Sequence, residues 1–221
     1  MADPTPDIPT RPRTQATISR VTEDDILQVA EGQLAAFGER LYGDVEPLSI
    51  RAPLPDRIRR FATRLRPLLD RPSVLIEKAT VAGADGKPVV AAVAFWHLPG
   101  APVDNCQKRD ASRMVDETDE EKEAYIGFDW EKWNGMLDKY DEVRKRVMGD
   151  EPHWYLGPFW THPSYQGQGI GGQLLRHAIS LAGSDPMYLE ASPAGQPVYA
   201  RYGWERIEGT ETAMLRRAEK P

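Results

Sequence analysis

Cysteine is nearly absent from this chain, long apolar runs are missing, and basic residues are outnumbered by acidic ones. Cys106 is the only cysteine, which excludes an internal disulfide and a zinc site built from cysteines, and no metal is expected. No apolar run approaches a membrane span, and residues 1–9 lack the apolar core of a signal peptide. The cytoplasm is therefore expected, with the nucleus as the alternative. The formal charge of −6 argues against nucleic acid or an anionic membrane as partner.

The composition is that of a globular protein. Apolar residues make up 40% of the 221 residues and aromatic residues 9%, which suits one domain with a buried core. Residues 1–15 are rich in proline and are expected to form a disordered tail. Residues 16–221 are then a single domain with an insertion at 100–152.

The first half of this domain predicts an alternation of strands and helices. Thr22 followed by Asp25 has the spacing of a capped helix start, and Asp85-Gly86 is a hairpin turn signal. The expected elements are a strand at 16–21, a helix after Thr22, a loop at 38–53, a helix from Pro55 that ends or kinks at Pro67, and strands at 74–81 and 89–96.

The insertion has two unlike halves. Its second half is an amphipathic helix that stops at Gly149, because apolar residues recur every three or four positions: Trp130, Trp133, Leu137, Tyr140, Val143 and Val147. This stripe is interpreted as core packing, and a wall of an acceptor pocket made by Trp130 and Trp133 is the alternative. The first half, residues 104–123, is polar and is expected to be mobile and to close as a lid.

A glycine-rich turn carries the strongest functional signal. An apolar strand at 155–161 is followed by a turn and then by Gln166-Gly-Gln-Gly-Ile-Gly-Gly172, after which Ile170, Leu174, Ala178 and Leu181 mark one helical face. Bare backbone N–H groups and the positive end of a helix dipole together attract a pyrophosphate. A dinucleotide loop, a coenzyme A loop and a purely structural corner all remain open at this point.

Two motifs favour the coenzyme A interpretation. Gly167-x-Gly169-x-x-Gly172 matches the dinucleotide fingerprint, but five residues separate it from the strand, and too few residues follow for a doubly wound sheet. Gln-x-x-Gly-x-Gly at 166–171, with its lead-in at 161–166, instead resembles motif A of the GNAT superfamily of acetyl-CoA-dependent N-acetyltransferases. The stretch at 198–204 is similar to that family's terminal L-Y-x-x-x-G-F.

The resemblance implies an α/β (α+β) fold: one mixed, mostly antiparallel sheet of six to seven strands, flanked by helices, with the helical insertion before the motif A strand. It implies acetyl-CoA as co-substrate and a small-molecule or peptide amine as acceptor, in a monomer or homodimer. The residues that it assigns to acetyl-CoA are Phe159, Trp160, Thr161, Gln166, Gly167, Gln168, Gly169, Ile170, Gly171, Gly172, Ser192 and Tyr199.

The resemblance also suggests how the acetyl group moves. Gly157-Pro158 interrupts the motif strand and is consistent with a bulge that separates two strands to admit the thioester. Tyr199 stands at the family's general-acid position, whereas Tyr202 is interpreted as packing. Ser192 stands where the family has an asparagine; a serine can donate one hydrogen bond to the coenzyme arm but reaches less far.

The general base is less clearly marked. Glu190 is the best candidate, since it resembles the acid of ribosomal-protein N-terminal acetyltransferases, and His97, His153 or a water chain are the alternatives. His162 and His177 are expected at the surface. A module that binds acyl-CoA without turnover is the competing function, and a dinucleotide-dependent oxidoreductase is the third.

Overall fold

The computed structural model describes residues 14–102 and 104–218. The disordered tail expected at 1–15 lies outside the described residues, except for Thr14 and Gln15. The described strands are β1 (Thr17–Arg20), β2 (Val74–Ala82), β3 (Pro88–His97), β4 (Trp154–Thr161), β5 (Met187–Glu190), β6 (Glu205–Arg206) and β7 (Ala213–Arg216). The α-helices are α1 (Ile26–Tyr42), α2 (Leu54–Leu65), α3 (Asp119–Glu123), α4 (Trp130–Met148), α5 (Ile170–Ala182) and α6 (Gln196–Ala200).

The seven strands form one mixed sheet in the order β1-β2-β3-β4-β5-β7-β6. Only β4 and β5 are parallel, and every other neighbouring pair is antiparallel. The expected mostly antiparallel sheet of six to seven strands with flanking helices is confirmed. This sheet is not the doubly wound parallel sheet that the alternative, a dinucleotide loop, would require.

Helix α1 begins as predicted but continues further than expected. The backbone N–H of Thr22 donates to Asp25 Oδ2 at 2.7 Å, which forms the capping box ahead of the helix. Gly38 has φ 49° and ψ −144°, a kink that only glycine adopts easily, and the helix resumes after it. The loop expected to begin at Gly38 is therefore wrong, because the resumed turn buries Tyr42 completely.

The two faces of the sheet carry separate cores. Helix α5 covers one face, where Leu175 and Ala178 pack against Trp96, Leu156 and Leu189. Helices α1, α2 and α4 cover the other face, where Val29, Phe61, Trp133 and Leu137 pack with Phe95 and Trp160. Side chains alternate along a strand, so consecutive residues of β4 and β5 meet different helices.

Helix α4 of the insertion docks as the sequence predicts. Its buried residues include Trp133, Leu137 and Met148, and Gly149 ends it with φ 55°. Trp133 stacks on Tyr42 with ring centroids 5.8 Å apart, and its Nε1 donates to Gln107 O at 2.9 Å. These contacts support core packing as the role of the apolar stripe.

The first half of the insertion, expected to be mobile, is packed against the domain at residues 105–109. Asn105, Cys106 and Arg109 are buried, and Arg109 pairs with Glu117. Asn134 of α4 accepts from the Arg109 N–H at 3.0 Å and donates to Arg109 O at 2.8 Å. A polar sequence is compatible with this burial because its polar groups find partners inside the protein.

The docking of α4 predicts a stability difference between two substitutions. Leu137→Ala removes buried side-chain volume and is expected to lower the free energy of unfolding by about 2–5 kcal/mol. Lys139→Ala, at an exposed position of the same helix, is expected to change it by less than about 0.5 kcal/mol. Urea unfolding measures both. Equal and small effects would show that α4 is not docked on the domain.

Candidate functional site at the gap between two parallel strands

The site begins where β4 and β5 separate. The two strands pair at Trp154–Met187, Tyr155–Tyr188 and Leu156–Leu189, and no pairing follows. At the same point the register between β3 and β4 shifts: Trp96 faces Leu156, whereas Ala94 faces Phe159. Two residues of β4, Gly157 and Pro158, therefore oppose one residue of β3. This is the bulge predicted from the Gly-Pro pair, and it turns the end of β4 away from β5.

The open edge of β4 presents backbone groups to this gap. The His162 N–H donates to Ala91 O on the β3 side at 2.8 Å. In an antiparallel pair the backbone N–H and C=O groups of every second residue point to the same side. The backbone groups of Trp160 therefore also point to β3, and those of Phe159 and Thr161 point to the gap. Gln166 Nε2 donates to Thr161 O at 3.0 Å, in agreement with this direction.

Trp160 therefore differs from its two neighbours. Its backbone groups face β3, and its side chain is buried against α1. The indole ring packs so closely on Gly32 of α1 that a Cβ atom there would lie 2.2 Å from it. The structure gives Trp160 a packing role. Phe159 and Thr161 are left as the backbone groups that can receive a ligand along β4.

The glycine loop places free N–H groups at the start of α5. Among the described residues, no hydrogen-bond acceptor is bonded to the N–H groups of Gly167, Gln168 or Gly169. Gly167 and Gly169 have φ of 76° and 77°, in the left-handed region that glycine adopts without strain. Ile170 begins α5 with its side chain buried, so only its backbone can face a ligand. The loop has the form of an anion cradle.

Two further glycines are explained by close packing. A Cβ on Gly171 would lie 2.8 Å from Thr161 Oγ1, and a Cβ on Gly172 would lie 2.0 Å from the Tyr202 hydroxyl. The absence of side chains here lets α5 approach β4 and the turn after α6 that carries Tyr202. Tyr202 also accepts from Arg176 at 3.3 Å, as expected for a packing residue.

The segment before β1 is hydrogen-bonded to the glycine loop and to the first turns of α5. Thr14 donates through its hydroxyl to Gln168 Oε1 at 2.7 Å and through its N–H to Gln168 O at 3.2 Å. Gln173 Nε2 donates to Thr14 O at 2.7 Å, and Gln173 Oε1 accepts from the Ala16 N–H at 3.1 Å. These contacts were not predicted, because they join residues more than 150 positions apart.

Tyr199 lies beside the open end of β4. Its ring is 6.0 Å from that of Phe159 and 6.1 Å from that of Trp204. Burial raises the pKa of Tyr199 above its ordinary value, which keeps the phenol protonated. Ser192, just after β5, accepts through its carbonyl from the N–H groups of Gly195 and Gln196 and so shapes the turn that leads to α6.

Glu190 ends β5 on the opposite face of the sheet from Leu189. Burial raises the pKa of Glu190 to about 7, although the hydroxyls of Tyr188 and Tyr155 and the charge of Arg144 oppose the rise. Its Oε1 is inaccessible to solvent and has no hydrogen-bond partner among the residues that the structure describes. A carboxyl group that titrates near neutrality is suited to accept a proton there.

The histidines fit the role of base less well. Burial lowers the pKa of His97 to about 3, and its Nε2 accepts from the Cys106 N–H at 3.4 Å. Burial also lowers the pKa of His153, whose Nδ1 lies 2.7 Å from Glu151 O. His162 caps the turn after β4. His177 pairs with the buried Glu77 at 3.1 Å, a role that the sequence did not suggest.

Two negative findings apply to residues 14–102 and 104–218. No group of three or more histidine, cysteine, aspartate or glutamate side chains is placed to hold a metal ion. No helix of this part is long and apolar enough to cross a membrane.

The comparisons with known proteins agree with this geometry. The model of the acetyltransferase (GNAT) family matches residues 77–204, more than half of the chain. This chain belongs to the GNAT family. The match spans the hairpin, the insertion, the glycine loop and Tyr199. No curated protein sequence is significantly similar to the chain.

Solved structures share the GNAT fold at low sequence identity. A structure described as histone acetyltransferase HPA2 and related acetyltransferase from Corynebacterium glutamicum is 22% identical, with TM-score 0.53, and the match covers 93% of this chain and 98% of that one. PaiA N-acetyltransferase from Thermoplasma acidophilum, solved with coenzyme A, is 13% identical, with TM-score 0.51 and coverage of 93% and 100%.

The role of the glycine loop in binding acetyl-CoA can be tested by adding a negative charge to it. Gly169→Asp places a carboxylate beside the free N–H groups and is expected to weaken acetyl-CoA binding by at least about 100-fold. Gly169→Asn adds a similar side chain without charge and tolerates positive φ, so it is expected to weaken binding much less. Calorimetric titration with acetyl-CoA measures both.

A second control separates loss of binding from loss of fold. Gly86→Asp places the same substitution in the hairpin turn, where φ is 78° and the space is open. It is expected to leave acetyl-CoA affinity unchanged. Equal affinity of folded Gly169→Asp and of the unmodified protein would show that this loop does not hold the pyrophosphate.

Proposed function

We propose that the protein transfers an acetyl group from acetyl-CoA to the nitrogen of an amine by direct attack. The observation that carries the proposal is the gap between β4 and β5, which has a carboxyl on one face of the sheet and a phenol on the other. Glu190 faces α4, and Tyr199 packs on the α5 side with Leu189 and Trp204. An amine that enters from one face and a thiol that leaves on the other meet a base and an acid respectively.

The residues divide the chemistry between them. Glu190 takes the proton that the amine loses as its nitrogen forms a bond to the acetyl carbon. The N–H groups on the open edge of β4 stabilise the negative charge that develops on the acetyl oxygen. Tyr199 gives its proton to the sulfur as the carbon–sulfur bond breaks. The loop from Gln166 to Gly172 holds the pyrophosphate with its backbone donors.

The insertion borders the acceptor side of this arrangement. Tyr140 of α4 is half-buried, and both burial and the charge of Glu190 raise its pKa. The acceptor is proposed to be a small-molecule or peptide amine that reaches Glu190 beside α4. A neutral or cationic acceptor suits the acidic chain better than a polyanion does.

A thiol-release assay tests the proposed reaction against acyl-CoA binding without turnover. Acetyl-CoA is offered with polyamines, amino sugars, amino acids, aromatic amines and peptide N-termini. Acceptor-dependent release of free thiol supports the enzyme. A rise in melting temperature with acetyl-CoA, together with no release for any acceptor, would favour a binding module.

Tyr199→Phe tests the general acid. The substitution removes one hydroxyl and is expected to lower turnover by about 10- to 1000-fold while acetyl-CoA affinity stays within about twofold. Tyr202→Phe removes a hydroxyl of equal size that bonds Arg176 instead, and it is expected to leave turnover nearly unchanged. Steady-state kinetics and calorimetry give the two quantities. Equal losses in both variants would assign Tyr199 to packing.

Glu190→Gln tests the general base. For the unmodified protein, kcat/KM is expected to fall as pH drops through about 7, because protonated Glu190 cannot accept a proton. Glu190→Gln is expected to lower kcat/KM by about 100-fold or more at pH 8 and to remove this acidic limb. An acceptor whose own amine pKa lies well below that of Glu190 keeps the two ionisations apart.

The matched control for this test is Glu205→Gln, at an exposed position of β6. It is expected to preserve both the rate and the profile. An acidic limb that persists unchanged in active Glu190→Gln would move the role of base to His97, His153 or water.

A further inference from the structure

Polar residues of the insertion converge on one tyrosine of β4. Asn105 Nδ2 donates to the Tyr155 hydroxyl oxygen at 3.1 Å, and both residues are buried. The guanidinium of Arg144, on α4, lies 3.8 Å from the centre of the Tyr155 ring. Tyr155 thus has a hydrogen-bond donor at its oxygen and a cation on its ring, and both come from the segment between β3 and β4.

These two partners are themselves fixed. The Asn105 N–H donates to Asp141 Oδ2 at 2.9 Å, and Asn105 Oδ1 accepts from the Gln107 N–H at 2.9 Å. Arg144 lies 3.4 Å from Asp141 Oδ1, and Lys108 Nζ lies 3.2 Å from Asp141 Oδ2. Asp141 therefore ties the loop to α4, and the orientation of the Asn105 amide is determined by its other bonds.

The orientation of Asn105 decides where the Tyr155 proton points. An amide NH₂ only donates, so the Tyr155 oxygen accepts in this bond and its single proton is available to another acceptor. Tyr155 pairs with Tyr188 on β5, and Glu190 is the next residue on the same face of β5. The Tyr155 and Tyr188 rings lie 6.0 Å apart, so Tyr155 is on the same face of the sheet as Glu190 and diagonally across from it. A buried carboxyl oxygen without a partner requires a donor, and the Tyr155 hydroxyl lowers the pKa of Glu190.

We propose that Tyr155 is a positioning residue for the general base: Asn105 and Arg144 hold its hydroxyl so that it donates to the Glu190 carboxylate and favours the ionised form. The inference rests on the proposed function. It gives the insertion a defined task, since a residue of its first half acts on the base through β4. Tyr188 is the other phenol beside Glu190 and also lowers its pKa, but no described side chain holds the Tyr188 hydroxyl in place, so the positioning role is assigned to Tyr155.

The sign of the effect follows from which form is stabilised. The groups that face Glu190 are Tyr188 on β5, Tyr155 on β4, and Tyr140, Asp141 and Arg144 on α4. A hydrogen bond donated to the carboxylate stabilises the charged form and lowers its pKa. Loss of the Tyr155 hydroxyl therefore raises the pKa of Glu190, and the acidic limb of kcat/KM moves to higher pH.

The experiment measures this pKa directly, without enzyme activity. Protein carrying ¹³C-carboxyl glutamate is titrated by NMR, and Glu190→Gln identifies the Glu190 signal. Tyr155→Phe is expected to raise the Glu190 pKa by about one unit, the size typical of a hydrogen bond to a charged group. Where acetyl transfer is detected, the acidic limb of kcat/KM moves by the same amount.

Tyr42→Phe is the matched control. Tyr42 is also completely buried and also accepts from a side-chain amide, Gln33 Nε2 at 3.0 Å, but its charged neighbours are Arg64, Glu46 and Arg57. It is expected to leave the Glu190 pKa unchanged. Thermal melting and acetyl-CoA titration establish that both variants are folded.

A double-mutant cycle tests whether Asn105 acts through Tyr155. Asn105→Ala is expected to raise the Glu190 pKa by less than Tyr155→Phe does, and the double variant to match Tyr155→Phe alone. Additive shifts would overturn the role of Asn105. An unchanged Glu190 pKa in folded Tyr155→Phe, or an equal shift in Tyr42→Phe, would overturn the proposal. The absence of acetyl transfer in the unmodified protein would contradict the proposed function. The NMR titration would still test whether Tyr155 lowers the Glu190 pKa, because it does not depend on activity.

Discussion

The separation of β4 from β5 is the constraint on which the rest of the site depends. A parallel pair that continued beyond Leu156 and Leu189 would use the backbone groups of Phe159 and Thr161 within the sheet. The bulge at Gly157 and Pro158 prevents this, because proline cannot donate and the extra residue bends the strand. The gap therefore comes from two adjacent residues, glycine and proline, that are unfavourable inside a central strand.

In the proposed reaction the two faces of the sheet have different roles. The side chains of Leu189 and Glu190 alternate, so the α5 face receives apolar residues and Tyr199, while the α4 face receives Glu190. Burial raises the pKa of both groups, with a different consequence for each. It keeps the phenol of Tyr199 protonated, ready to donate, and it brings the pKa of Glu190 to about 7, where a carboxyl can accept a proton and release it again.

The sequence revealed those features whose signals are local. The glycine loop, the Gly-Pro bulge, the hairpin turn at Gly86 and the stripe of α4 each depend on residues a few positions apart, and the structure contains all of them. The packing of residues 105–109 in the insertion was not foreseen, because polar residues there find partners far along the chain: Asn105 bonds Tyr155, 50 positions away. The continuation of α1 beyond Gly38 was missed for a related reason, since burial of Tyr42 outweighs a local helix-breaking signal. The sequence grouped Trp160 with Phe159 and Thr161 as a residue that faces the coenzyme. Its backbone instead points to β3, which becomes visible only when the register between β3 and β4 is known.

Amide hydrogen exchange, measured by NMR with and without acetyl-CoA, tests most directly that the gap and the loop bind the co-substrate. Addition of acetyl-CoA is predicted to slow exchange at Phe159 and Thr161, which point away from β3, and in the loop from Gly167 to Gly171, whose N–H groups have no acceptor among the described residues. The Trp160 amide, already turned to β3, is predicted to exchange slowly in both states and serves as an internal reference. Protection elsewhere on the domain, with no change at Phe159, Thr161 and the glycine loop, would contradict the account.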